Sequence, residues 1–474
     1  MKKNPAINRK QAGIILITLG VLITIFLAIY IYSQKISIKG FPEILPYEKT
    51  SAYAEFPVKL DENGYLTQQI NKFFKVDWIK EIGEFGEGKA GFALLKTPDQ
   101  NKIFPVLFIK IKSAEKASDF LKKYKGLKPV FSSLLIDVLV ISNDESGMRA
   151  FLNYQNNSLP RLSSNRDFIK LRQTLEQPWF FYINTQQLPP NALTEISQFL
   201  PAAPLIPKSF PSFGFSFEKY NEIIQGKSYA FINKDILSKN EQSYKALILP
   251  YLPAESDILI SGQNLPMQIE KISSMFDKND NLPGIKLLLN LVKEKYLENV
   301  DFEKLFGSEF AFTMDDKKAL VVTLIQNQNE FEQKVAALRT AFQKINGGGA
   351  TNKREVVLPD GTKAKELIPN SAKSNVYEET FFGIKINGMA GIFDAFSQNK
   401  WFVSNNLNTL KKSLLLTKEP GINFRESPLY RTTLQPILKN PELLGIAKTP
   451  IGTFGFSKRT FSYHMETDFT FVLK

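Results

Sequence analysis

The chain has 474 residues, a hydrophobic content of 43% and a net charge of +13 at pH 7. This length predicts two or three domains, and the hydrophobic content excludes a disordered protein. There is no cysteine and only one histidine, His464. Disulfides, cysteine-ligated metals and most zinc, copper or non-haem iron sites are therefore excluded, as are ordinary histidine-based triads. No metal and no cofactor is predicted.

The first element is an uninterrupted apolar run over residues 13–32. It carries no charge and is long enough to cross a bilayer as a helix. Four basic residues precede it: Lys2, Lys3, Arg9 and Lys10. The positive-inside rule then places residues 1–12 in the cytoplasm, and the lack of a small-residue cleavage pattern favours a signal anchor over a cleaved signal peptide. The sequence predicts a single-pass plasma-membrane protein with a juxtamembrane linker over 33–43 and an extracytoplasmic body.

The remaining chain contains several short motifs twice and in the same order. The pairs are ILPY at 44–47 and 248–251, DWIKEIG at 77–83 and DFEKLFG at 301–307, VISN at 140–143 and FVSN at 402–405, FGFS at 213–216 and 454–457, and SYAFINK at 228–234 and DFTFVLK at 468–474. Alternating apolar segments between them predict half-buried strands in hairpins, each hairpin leading into a helix. We infer an internal duplication with repeat 1 over 44–234, a linker over 235–247 and repeat 2 over 248–474.

Repeat 2 contains an additional segment at about 346–372. Its Pro359-Asp360-Gly361 turn lies between two strand-like runs, which predicts an inserted hairpin. The predicted fold class is α+β: an N-terminal transmembrane helix followed by two tandem homologous repeats, each an antiparallel sheet with packed helices.

The anchor, the LPY segment before a strand, the DWxxxxG helix end and the duplicated FGFS strands resemble an uncharacterised bacterial family. Its members are membrane-anchored or secreted proteins that contain a domain of unknown function. The resemblance covers most of the chain after the anchor. It implies a duplicated α+β fold and a location in the cell envelope, and it brings no known activity or functional residues.

Three motifs invite a catalytic interpretation. Residues 83–89 fit G-x-x-x-x-G-K, but Ala90 replaces the required Ser or Thr and a strand follows instead of a helix, so we interpret a turn. His464 alternates with apolar neighbours, which is typical of a solvent-facing strand residue. The acidic pairs Asp315-Asp316, at a predicted hairpin turn, and Glu378-Glu379 lack the spacing of a calcium loop. No catalytic residue is predicted, and the protein is not expected to be an enzyme.

Two surfaces remain as candidates for binding. The densest basic patch predicts contact with anionic lipids or envelope polymers, with a solvated face as the alternative; it consists of Lys110, Lys112, Lys116, Lys122, Lys123 and Lys125. A wide apolar stripe predicts an interface between the repeats or an apolar site, with docking on the membrane as a further alternative; it consists of Ile285, Leu288, Leu289, Val292 and Tyr296.

These observations predict a non-catalytic scaffold or binding module of the cell envelope. The alternative is a carrier for a lipid or another apolar ligand, and a third interpretation is a hydrolase of the Ser/Lys or carboxylate type. The expected partners are the bilayer, through 13–32, and anionic envelope polymers or lipids. Nucleic acid is not expected because the basic residues are scattered over the whole chain.

Overall fold

We describe the protein from a computed structural model. The residues that it describes are 40–60, 65–74, 77–83, 85–98, 102–124, 131–135, 137–188, 210–232, 245–268, 270, 305–347, 351–357, 363–369, 376–389, 391–419, 421–461 and 463–473. The chain divides into two compact units. The first unit covers 1–241, 278–281 and 449–474, and the second unit covers 242–277 and 282–448.

More of the described residues are in strands than in helices. In chain order the strands are β1 (Thr50–Pro57), β2 (Gly86–Lys96), β3 (Ile103–Ile111), β4 (Phe131–Leu135), β5 (Val138–Ser142), β6 (Trp179–Asn184), β7 (Ser212–Tyr220), β8 (Ile223–Phe231), β9 (Ile258–Gln263), β10 (Glu309–Asp315), β11 (Lys318–Leu324), β12 (Thr351–Val357), β13 (Lys363–Pro369), β14 (Val376–Phe381), β15 (Ile384–Met389), β16 (Ile392–Ser397), β17 (Lys400–Ser404), β18 (Leu443–Thr449), β19 (Gly452–Thr460) and β20 (His464–Leu473).

The helices are short, apart from one of 20 residues. They are α1 (Phe41–Ile44), α2 (Tyr65–Phe74), α3 (Ala114–Tyr124), α4 (Glu145–Asn156), α5 (Arg166–Thr174), α6 (Gln328–Gly347) and α7 (Leu407–Leu415). Single helical turns of the 3-10 or π type lie at Tyr47–Lys49, Trp78–Ile82, Leu162–Ser164, Thr185–Gln187, Leu249–Tyr251, Phe424–Glu426, Tyr430–Leu434 and Gln435–Ile437. Side chains of Asp144, Asn165 and Asn406 cap α4, α5 and α7, as expected for Asp and Asn at this position.

The sheet of the first unit has the strand order β4-β5-β3-β2-β1-β6-β7-β8-β20-β19, and all its pairs are antiparallel. The sheet strands of the second unit follow the order β14-β15-β16-β17-β11-β10-β9-β18, again antiparallel. The hairpin predicted near 346–372 is present as β12 and β13, which pair only with each other among the described strands.

The core of the first unit lies between one face of its sheet and helices α4 and α5. Phe104, Phe151 and Tyr182 belong to this core and are at most 1% exposed. Phe168 of α5 packs edge-on against Phe180 and Tyr182 of β6. Burying such aromatic side chains contributes about 2–3 kcal/mol each, so this layer is the main stabilising contact between helices and sheet.

The opposite face of the same sheet carries a ladder of stacked rings. Trp179 lies between Phe56 and Phe217, with ring centroids 5.7 and 5.8 Å away. Phe181 stacks on Phe215 at 4.6 Å. These cross-strand aromatic pairs fix the register of β1, β6 and β7, because a one-residue slip would move each ring to the other face.

In the second unit, helix α7 and the one-turn helices at Leu249–Tyr251 and Phe424–Glu426 pack on the sheet. Leu249, Val322, Phe402 and Leu410 of this core have no exposed surface. Both units therefore have an apolar core between sheet and helices.

The predicted α+β fold class is wrong. The protein is mostly β: 18 strands join antiparallel ladders, and the helices of the described residues are few. The tandem arrangement also needs correction, since β20 pairs with β8 and β19 pairs with β20, so that both belong to the first unit. The unit that β19 and β20 join is determined by pairing between strands that are far apart in the sequence. Such pairing leaves no local pattern in the sequence.

The prediction of a single-pass membrane protein with a signal anchor is wrong for the part of the chain that the structure describes. None of its helices is both long and apolar enough to cross a membrane. Helix α6 has the length but carries charges such as Glu330, Lys334 and Arg339. The predicted anchor over 13–32 lies outside the described residues.

Candidate functional site

The two units place their strands in the same pattern around the candidate site. In the first unit the order is β4-β5-β3-β2-β1-β6, and in the second β16-β17-β11-β10-β9-β18. Hydrogen bonds align them residue by residue. The Ser142 hydroxyl donates to the Pro105 carbonyl at 2.8 Å, and the Ser404 hydroxyl donates to the Ala319 carbonyl at 2.7 Å. The helix that follows is capped in both units, by Asp144 and by Asn406.

The second unit contains a polar pocket at the start of α7, with a volume of about 230 Å³. It is bordered by the loop before β9, the β10–β11 hairpin and the first two turns of α7. The lining residues are Pro253, Glu255, Ser256, Thr313, Asp315, Lys318, Asn406, Asn408, Thr409 and Lys412. A pocket for a drug-sized ligand has about 300–1,000 Å³. This pocket therefore fits a smaller molecule.

The same place in the first unit is filled with apolar side chains. The ladders and caps align five lining residues of the second unit, Thr313, Asp315, Lys318, Thr409 and Lys412, with Ala93, Leu95, Phe104, Gly147 and Ala150. All five first-unit residues are buried. Phe104 occupies the space so closely that a Cβ on Gly147 would lie 2.5 Å from its ring. Polar groups and a cavity thus replace a packed core at five aligned positions.

Two ion pairs lie in the pocket. Lys412 Nζ is 3.0 Å from Glu255 Oε1, and Lys318 Nζ is 3.5 Å from Asp315 Oδ2. The hydrogen bond from Lys412 lowers the pKa of the Glu255 carboxyl, so this group is ionised at neutral pH. All four side chains are between 42% and 62% exposed. Such exposed pairs contribute at most about 1 kcal/mol to stability, so a ligand can replace either partner at small cost.

The hydroxyl groups of the pocket differ in their hydrogen bonds. Ser256 donates to the Pro253 carbonyl at 3.0 Å, and Thr409 Oγ1 lies 3.2 Å from Asn406 Oδ1. Thr313 is only 2% exposed, and its hydroxyl has no hydrogen-bond partner among the described residues. A nearly buried hydroxyl that borders a cavity without a partner is a group that a bound molecule or water would satisfy.

The first unit contains a buried ionic cluster that is not part of any described pocket. The Glu55 carboxylate accepts hydrogen bonds from Tyr53 Oη at 2.8 Å, Lys89 Nζ at 3.3 Å and Arg172 Nη2 at 3.0 Å. Burial raises the pKa of the Tyr53 hydroxyl and lowers the pKa of Lys89. Lys89 is the lysine of the G-x-x-x-x-G-K motif. Its ammonium group binds Glu55 instead of a phosphate, and residues from Gly86 onward form β2 rather than a turn.

The predicted basic patch is largely paired with acidic groups. Lys110 Nζ lies 3.7 Å from Asp137, Lys122 lies 3.2 Å from Asp119, and Lys123 binds Glu81. Lys112 and Lys116 are exposed near the start of α3, and Lys125 lies outside the described residues. The described lysines of the patch lie on α3 and on or just after the strand before it. Their contact with anionic surfaces stays a prediction.

The remaining candidates of the sequence analysis have separate locations. The apolar stripe of Ile285, Leu288, Leu289, Val292 and Tyr296 lies outside the described residues. His464 does not face open solvent. Its ring stacks between Tyr229 and Phe461, and its Nε2 is 3.4 Å from Glu466.

The two acidic pairs are in hairpins. Asp315 ends β10, and Asp316 has a φ of 52° in the predicted turn. On β14, Glu378 and Glu379 pair with Lys385 and Lys411. Neither acidic pair belongs to a group of potential metal ligands within the described residues.

Comparison with known proteins gives no family. No family model matches the chain, and no curated protein matches it. This agrees with a family of unknown function and lends no support to a bacterial or membrane-anchored one. Among solved structures, crystal form I of TP0453 matches with a TM-score of 0.28 and 13% identity, over 51% of this chain and 88% of that chain. Crystal form III of TP0453 matches with a TM-score of 0.25 and 12% identity, over 44% and 84%. A likeness this weak carries no argument about fold or function.

Proposed function

We propose that the protein is a non-catalytic binding module that holds a small polar ligand in the pocket of the second unit. The observation that carries this proposal is the replacement of a packed core by a polar cavity. At the positions of Leu95, Phe104 and Ala150, the second unit has Asp315, Lys318 and Lys412. Giving up such buried apolar surface costs several kcal/mol, which a purely structural role does not explain.

The hydrogen bonds of the pocket support binding rather than catalysis. A serine or threonine nucleophile needs a base that accepts its proton. Here the Ser256 hydroxyl donates to a backbone carbonyl and the Thr409 hydroxyl contacts an amide side chain. The four charged groups are arranged as two ion pairs, so each already has a partner before a ligand arrives.

The alternative of a carrier for an apolar ligand has less support. Such a carrier needs an apolar cavity between sheet and helices. In both units the described layer between sheet and helices is filled by side chains that are almost fully buried. The pocket described above is lined mainly by polar and charged residues.

The proposal is tested by filling the pocket with the residues of the first unit. The double variant Lys318→Phe/Thr409→Gly copies Phe104 and Gly147 and should close the cavity. Wild type and variant are titrated with free amino acids, monosaccharides, dicarboxylates and inorganic phosphate, and binding is followed by calorimetry. We expect at least one class to bind the wild type and to lose at least about tenfold in affinity in the variant, which is about 1.4 kcal/mol.

Lys439→Met is the control, because Lys439 is exposed in the same unit and does not line the pocket. The Lys439→Met variant should bind the ligand with the same affinity as the wild type. If the double variant does not fold, Asn408→Trp blocks the pocket from an exposed position on α7 and leaves the core unchanged. Unchanged affinity in the blocked protein, or no binding of any class to the wild type, would contradict the proposal.

A further inference from the structure

We infer that the ligand of this pocket is an α-amino acid, or a molecule that presents a carboxylate and an ammonium group as an α-amino acid does. This inference rests on the proposed function and specifies the ligand class. It follows from the charges of the lining residues, from the position of α7 and from the size of the pocket.

The charges that line the pocket balance each other. The lining residues contribute two ammonium groups, from Lys318 and Lys412, and two carboxylates, from Glu255 and Asp315. Groups of opposite sign lie 3.0 and 3.5 Å apart. A dianion or a polycation would meet one repulsive carboxylate or ammonium for each attractive partner. A zwitterion can pair both of its charges at once, by inserting between a lysine and its acidic partner.

The start of α7 offers a position for a ligand carboxylate. The pocket lies at the N-terminus of α7, a helix of nine residues whose Asn406 cap and second residue, Asn408, both line the cavity. The Thr409 amide already donates to the Asn406 side chain, whereas the amides of the two residues before it have no acceptor within the helix, and the helix dipole favours a negative group there. Lys412 lies one turn further along α7. A ligand carboxylate at this end would therefore accept hydrogen bonds from the helix amides that the cap leaves open and from the Lys412 ammonium group.

The buried hydroxyl of Thr313 also favours a polar ligand. It lines the pocket, is 2% exposed and has no hydrogen-bond partner among the described residues. Its aligned residue in the first unit is Ala93, which has no polar atom in its side chain. A nearly buried hydroxyl without a partner gains a hydrogen bond when a polar ligand or a water molecule reaches it. The second unit has thus gained a hydrogen-bonding group where the first needs none.

The size and the lining of the pocket fit the same class of ligand. A volume of about 230 Å³ accommodates a free amino acid with a small side chain. No aromatic ring is among the lining residues that the structure describes, so the pocket offers no platform on which a sugar or a base would stack. Glu255 and Asp315 remain for the ammonium group of the ligand.

The test compares each amino acid with its two halves. The twenty L-amino acids are screened against the full chain by thermal shift, and the strongest binder is titrated beside its decarboxylated amine and its deaminated acid. We expect the amino acid to bind at least tenfold more tightly than either analogue. Lys412→Met and Glu255→Gln should each weaken binding at least tenfold, because each removes the partner of one ligand charge.

The chain offers a matched control pair. Lys385 and Glu378 lie 3.2 Å apart in the same unit, with side chains 62% and 60% exposed, against 61% and 62% for Lys412 and Glu255. Lys385→Met and Glu378→Gln should leave affinity unchanged. An amine or acid that binds as tightly as the amino acid would overturn the inference.

The outcomes separate this inference from the proposed function. Suppose that no amino acid binds, but that another class of compound binds the wild type and does not bind the Lys318→Phe/Thr409→Gly variant. The inferred ligand class is then wrong, and the proposed function as a binding module stands. If no class binds the wild type, both are wrong.

Discussion

Replacing Glu55 by glutamine is expected to lower the free energy of unfolding of the first unit by about 3–5 kcal/mol. The carboxylate is 4% exposed and neutralises two cations, Lys89 and Arg172, whose side chains are 9% and 26% exposed. A glutamine has nearly the same volume, so packing is preserved while both cations lose their counter-charge. A buried charge left without its counter-charge is one of the few causes of so large a loss in the free energy of unfolding.

Two variants separate charge from hydrogen bonding in this cluster. Tyr53→Phe removes one neutral donor to Glu55 and should cost about 1 kcal/mol. Adding Lys89→Met to Glu55→Gln should recover part of the loss, because one of the stranded cations is then absent. Hydrogen exchange of the β1, β2 and β6 amides measures the effect, with β10 and β11 of the second unit as internal reference. Equal losses for Glu55→Gln and Tyr53→Phe would show that the charge contributes nothing.

Asp394→Asn should destabilise the second unit by about 2–3 kcal/mol. The Asp394 carboxylate accepts hydrogen bonds from Nε of Arg339 at 3.1 Å, from Nη2 of Arg339 at 2.5 Å and from Nε1 of Trp401 at 3.1 Å. Arg339 is one-third exposed, so water screens the stranded guanidinium more than it screens the cations around Glu55. The expected loss is correspondingly smaller.

The readout for Asp394→Asn is the midpoint of urea unfolding, followed by exchange of the β16 and β17 amides. Arg339→Met tests the other partner of the ion pair. The double variant Arg339→Met/Asp394→Asn should lose less free energy of unfolding than the two single variants lose in sum, because both residues belong to the same interaction. Additive losses would contradict a direct role of the pair. Glu378→Gln, at an exposed ion pair of the same unit, is the control and should change little.

The hairpins were predictable because their signals are local. Alternating apolar residues indicated β2–β3 and β10–β11, and the Pro359-Asp360-Gly361 turn indicated β12–β13. The meander β14–β17 was missed, and with it the mostly-β class. Its two-residue turns use Phe382-Gly383 and Gln398-Asn399, all at positive φ. Only Gly383 and Asn399 are residue types typical of positive φ, and neither turn has the Asn-Gly or Asp-Gly pair that predicts a hairpin from sequence.

The motif ILPY, which the sequence contains at 44–47 and 248–251, does not mark the same register in the two units. The sequence aligns Pro46 with Pro250, whereas the isolated bridges pair Pro46 with Arg161 and Pro253 with Asn423. Pro253 is therefore the counterpart of Pro46. Register is set by which face of a strand is buried across the sheet, and a four-residue motif does not contain that information.

Aligning the two sets of motifs in the sequence reveals part of the candidate site. Matching FPVLFIKIK with KALVVTLIQ places Phe104 opposite Lys318, and matching VISN with FVSN places Ala150 opposite Lys412. An apolar residue replaced by a charged one at an inward position indicates a site. Which positions point inward depends on strand pairing, so the pocket could not be assembled before the ladders were known. The Glu55 cluster left no such signal, since Arg172 lies 117 residues away.

Hydrogen–deuterium exchange of the full chain, with and without the compound that binds most tightly, tests the central claim most directly. The claim is that the second unit holds a ligand where the first unit has a packed core. We predict slower exchange in residues 253–257, 313–318 and 406–412, and unchanged exchange in 93–95, 104 and 147–150 of the first unit. Protection confined to the first unit, or unchanged exchange at 313–318 and 406–412 with ligand bound, would contradict the account.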